Sequence, residues 1–122
     1  QSICLDVLRL EPEHPKALIT LLLALTDQFG AGVSPAKAKE VLSRMKGDYE
    51  RAYYAGLISE RAAHARLRLS SPGAGFDAYD LFLEAMQHYE RAEKIRPAAN
   101  DDAILRWNTC ARMLMRTGDL RP

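Results

Sequence analysis

The sequence predicts an all-α protein of several amphipathic helices. Three observations carry the prediction. Ala85, Tyr89 and Ala92 lie four and then three residues apart, so they share one helix face, and Pro97 follows five residues later to close it. Leu18, Leu21, Leu22 and Leu25 repeat the i, i+3, i+4, i+7 spacing of an apolar helix stripe. Val7, Leu10 and Pro12 have the same spacing as Ala92, Ile95 and Pro97, which is an internal repeat of a helix end. In both copies proline removes an amide donor and clashes with the preceding turn.

The elements follow in order. The segment through Pro12 reads as the back half of a helix. Pro15 suits the first turn of a helix over 15–28 or 15–29, where its missing amide costs nothing. Ile19 and Leu23 widen the stripe of this helix, so it needs cover on two sides. Gly30-Ala31-Gly32 ends it, and Ser34-Pro35 supplies a hydroxyl cap and a first-turn proline for a helix over 35–46 that presents Ala38, Val41, Leu42 and Met45. Gly47-Asp48-Tyr49 is a turn into a long helix over 48–69, with Tyr53, Leu57, Ala62, Ala65 and Leu69 available for packing. SSPGAG at 70–75 is the clearest loop signal, and Asp77 is a candidate cap for the helix that ends before Pro97. Asn100 or Asp101 can cap a last helix reaching Arg116.

The pattern of Ala85, Tyr89, Ala92 and Pro97 resembles the second helix of a tetratricopeptide repeat. Tyr53, Tyr54 and Gly56 resemble the aromatic and glycine of its first helix, although GDYERA at 47–52 also resembles the turn between the two helices. Trp107 and Gly118 match the tryptophan and glycine of another first helix, with a looser match at Cys110, Ala111 and Leu114, and Gly118-Asp119-Leu120 resembles the turn after it. The resemblance implies a right-handed α-solenoid of about five helices plus a partial N-terminal one, spanning 1–122 as a single domain and cut from a longer array. It implies a concave groove lined by first-type helices that takes a peptide or helix. Carried onto matching positions, the groove residues are Thr20 and Asp27, then Tyr53, Leu57 and Glu60, then Asn108 and Arg112. The Lys-x-x-x-Asn pair with which some members grip a C-terminal carboxylate does not occur.

Composition bounds the function. Seventeen basic and sixteen acidic side chains give a net charge of +1, too near neutral for a field that recruits nucleic acid. The longest apolar run, ALITLLLAL from Ala17, is nine residues, a core helix and not a span. The start of the sequence lacks the pattern of a signal peptide, and a cytoplasmic setting is the default expectation. Cys4 and Cys110 form no CxxC pair and suit buried small apolar roles. No glycine-rich phosphate loop, HExxH or G-x-S-x-G is present, so neither catalysis nor a cofactor is expected.

Two further constellations have alternative readings. Glu60 with His64 and Glu84 with His88 stand four apart, which allows a carboxylate-imidazole metal site but fits ordinary surface pairs better. Arg61, Arg66 and Arg68 with His64 make a locally basic patch, either a solvated face or a dock for an acidic peptide or a phosphate backbone. A non-enzymatic protein-interaction module is therefore the leading expectation. The alternative is self-association as a homodimer through uncovered end helices.

Overall fold

The computed structural model describes residues 14–31, 33–69 and 74–116, with the side chains of 69 and 74–76 left aside. Within them the chain is helical, and no strand occurs among the described residues. The elements are α1 (Pro15–Asp27), a 3-10 turn (Phe29–Ala31), α2 (Pro35–Ser43), α3 (Asp48–Leu69), α4 (Ala74–Lys94) and α5 (Asp102–Arg116). The expected half-helix through Pro12, the loop residues 70–73 and the turn at Gly118 lie outside the described residues.

Local chemistry sets the helix ends. His14 caps α1 by accepting the Ala17 amide on Nδ1 at 3.2 Å, and Ser34 caps α2 by accepting the Ala36 amide at 3.1 Å. Pro15 and Pro35 follow as first-turn residues. α2 stops at Ser43, three residues short of the expected end, where the Arg44 amide tightens onto the Val41 carbonyl. α4 begins at Ala74, so Ala74 and Gly75 are helical and Asp77 lies inside the first turn instead of capping it. Its charge is favourable there, next to the positive end of the helix dipole. Asn100 Oδ1 accepts the Asp102 amide at 3.0 Å at the start of α5.

Each helix packs on its chain neighbour, and α1 also packs on α3. One buried cluster joins α1, the 3-10 turn, α2 and one side of α3 through Leu18, Leu22, Phe29, Val41 and Ile58. A second joins α3, α4 and α5 through Ala63, Phe82, Ala85, Tyr89, Ala92 and Cys110. The small residues of α4 let α3 and α5 approach it closely. Gly56 does the same from α3, because a β-carbon there would stand 2.6 Å from the Tyr89 ring.

Candidate functional site

Cross-helix contacts fix the directions of the helices. The Tyr53 ring meets Tyr89 and, eleven residues later, the His64 ring meets Phe82, so α3 and α4 run antiparallel. Pro15 and Glu50 line one recess while Asp27 meets Arg61, which makes α1 and α3 parallel. Tyr49 lies near Asp102, and Glu60 lies near Cys110, so α5 runs the same way as α3.

The three parallel helices enclose a polar recess of about 480 Å³ lined by Thr26, Asp27, Glu60, Arg61, His64, Arg68 and Arg106. On α3, Glu60, Arg61, His64 and Arg68 are spaced 0, 1, 4 and 8 residues from the first, so one face delivers all four. The Arg61 guanidinium donates to Asp27 Oδ1 at 2.8 Å and ties α3 to α1. Glu60 is 3% exposed and forms the floor. It accepts from the Tyr89 hydroxyl at 2.8 Å and from Arg106 at 3.5 Å, so two donors from α4 and α5 offset its loss of water.

His64 Nε2 stands 3.9 Å from Glu60 Oε2, and its ring sits edge-on to Phe82 at 5.2 Å between centroids. Burial lowers its pKa against the pull of Glu60, and Arg68 and Arg61 lower it further. At neutral pH the ring is therefore uncharged. Burial, with the Glu60 carboxylate beside it, pushes the Cys110 thiol up to about 12, which keeps the sulfur protonated and inert. Arg68 lies over Gly30, where a β-carbon would come within 2.8 Å of the guanidinium. With Arg61 held by Asp27 and Arg106 by Glu60, Arg68 is the recess cation with no acidic partner among the described residues.

Of the residues expected to line a groove, Asp27 and Glu60 enter this recess. Thr20 is exposed on the same face of α1 as Asp27, two turns earlier, with its hydroxyl donating to the Lys16 carbonyl. Tyr53 is half-buried in an aromatic group, stacked on Tyr49 at 5.9 Å and against Tyr54 and Tyr89 at 5.0 and 5.7 Å. Leu57 is 2% exposed and serves the interior, so its side chain is not offered to a partner. Asn108 and Arg112 are exposed on the side of α5 roughly half a turn away from Arg106 and Cys110, outside the recess.

Arg61, His64 and Arg68 belong to the basic patch that the sequence displays. Arg106 had no signal of its own, because its role depends on a carboxylate 46 residues earlier. The two Glu-His pairs do not converge: Glu60 turns to Tyr89 and Arg106, and Glu84 to Ser59. No three metal-ligating side chains cluster among the described residues. No described helix is long and apolar enough to cross a membrane. In comparison with known proteins, no family model, no curated protein and no solved structure matches the chain.

Proposed function

We propose that the chain is a non-enzymatic protein-interaction module, a right-handed solenoid of tetratricopeptide-like helix pairs in which α1, α3 and α5 are the first-type helices. The groove along these helices takes a peptide or helix of a partner protein. The observation that carries the reading is the polar recess of α1, α3 and α5, with Asp27, Arg61, His64 and Arg68 at its lining and Glu60 beneath. Parallel first-type helices around an open polar face are what such a groove requires.

Spacing supports it as well. Asp27 and Arg61 meet across 34 residues, the length of one tetratricopeptide repeat. Glu60 and Arg106 meet across 46, and the extra residues fall in the longer hairpin of α3 and α4, which have 22 and 21 residues. Partner recovery by the intact chain, compared with an Asp27→Lys/Arg68→Glu variant, tests the reading. Loss of recovery is expected, and undiminished recovery would count against the groove.

One observation favours self-association as a second reading. Leu105 and Met115 are 60% and 84% exposed on the outer side of α5, beside Asn108 and Arg112. Such a face suits a symmetric contact between two copies. Sedimentation of a monomer at high concentration would remove this reading.

A further inference from the structure

α3 has a second working side. At about 100° per residue, Ala55 points roughly half a turn away from Glu60 and His64, and Ala52 and Ser59 lie beside it, about 80–140° round the helix from them. Above them α2 and α4 stand apart, and two recesses of about 660 and 370 Å³ share Leu42, Ala55 and His88 as lining residues, so they form one continuous trough. Its floor is apolar: Ala52, Ala55 and Ile58. Ile95 sits at one end, 51% exposed.

The rim is basic. Lys39 of α2 and Arg91 and Lys94 of α4 line it, and none of the three has an acidic partner among the described residues. Other charges in the trough are already engaged. Arg51 pairs with Asp48 and donates to the Met45 and Lys46 carbonyls at 2.8 Å, and Glu84 accepts from Ser59 at 2.7 Å. His88 contacts Arg91 at 2.6 Å and stays neutral at pH 7, because burial and Arg91 lower its pKa.

We propose that this trough is a second docking surface, separate from the α1, α3 and α5 groove, and that its occupant is an acidic amphipathic helix of a partner protein. An apolar stripe would fill the space over Ala52 and Ala55, and flanking glutamates would meet Lys39, Arg91 and Lys94. A phosphate polymer would satisfy the cations but leave the apolar floor and Ile95 exposed. A second copy of this chain is the other occupant to exclude.

The test uses the full chain and a labelled helix-forming peptide of about 18 residues with leucines at i, i+3, i+4 and i+7 and flanking glutamates, followed by fluorescence anisotropy. A control peptide keeps the leucines and replaces glutamate with lysine. Lys39→Glu/Lys94→Glu, both at exposed positions, is expected to weaken the acidic peptide about tenfold, as two rim attractions become repulsions. Arg68→Glu, on the opposite groove, is expected to leave it unchanged, so failure here is distinguishable from failure of the groove reading. The proposal is overturned if no binding occurs up to about 1 mM, if the lysine peptide binds equally well, or if Arg68→Glu weakens binding as much as the rim reversal. It is equally overturned if a short DNA duplex competes the peptide away, or if sedimentation shows a dimer that the rim reversal dissolves.

Discussion

The Tyr89 hydroxyl donates to Glu60 Oε1 at 2.8 Å, 29 residues apart in the chain and fully inside the protein. The bond joins the ring that fills the α3–α4 contact to the carboxylate that floors the polar recess. Packing and the candidate site therefore share an atom pair. Tyr89→Phe keeps the ring but leaves a buried carboxylate short of one donor, and is expected to cost about 1–3 kcal/mol. Urea unfolding checks it; a change within a few tenths of a kcal/mol would mean that water replaces the hydroxyl.

Gly56 is expected to resist replacement. In an exposed helix interior, alanine would gain about 1 kcal/mol over glycine. Here its β-carbon would meet Tyr89 Cε1 at 2.6 Å and Cδ1 at 2.8 Å, inside van der Waals contact. Tyr89 is fully buried, packed against Tyr53 and tied through its hydroxyl to Glu60, so its ring cannot shift without loosening both contacts. Gly56→Ala is expected to destabilise by about 1–3 kcal/mol, measured as a lower thermal midpoint.

The connection between α4 and α5 holds a backbone at odds with its residue. Ala99 has φ of +62°, in the left-handed region where a β-carbon crowds the carbonyl. The Asn100 amide bonds the Pro97 carbonyl at 3.1 Å and holds the turn in place. Ala99→Gly is expected to stabilise by about 0.5–1 kcal/mol, raising the melting temperature by roughly 2–6 °C. An unchanged or lower midpoint would show that the gain is cancelled by the extra freedom of glycine in the unfolded chain.

Two histidines should set the acid limit. His64 and His88 both have pKa values lowered from the ordinary 6.5, chiefly by burial. A lowered native value means that the unfolded chain takes up protons first. The associated stability is complete above pH 6.5 and is lost as pH falls through the native values. Denaturant midpoints should begin to drop as pH falls below 6.5, and His64→Gln/His88→Gln should flatten that slope.

The fold was readable where periodicity and punctuation agree. Ala85, Tyr89 and Ala92 are all fully buried, the Ser34-Pro35 start is a true cap, and α3 spans the expected 48–69. Ends were harder. SSPGAG is strongly loop-like, yet Ala74 and Gly75 join α4, because local turn preference yields to continuation of a helix that is packed further along. The site was legible only in part. Asp27 and the Arg61–Arg68 face are one-helix patterns, whereas Leu57 turns inward and Arg106 enters through a partner on another helix. Rotation of a helix about its own axis is set by tertiary packing, which spacing along one chain does not encode.

α3 takes part in both buried clusters and borders both the polar recess and the basic-rimmed trough. Among the described helices, α1 with α2, or α5, can peel away from the rest, but the middle has no independent half to fall back on. Melting of this one rod should erase the two surfaces in a single cooperative event, so amide exchange along it ought to report the global opening energy, while the flanks exchange sooner.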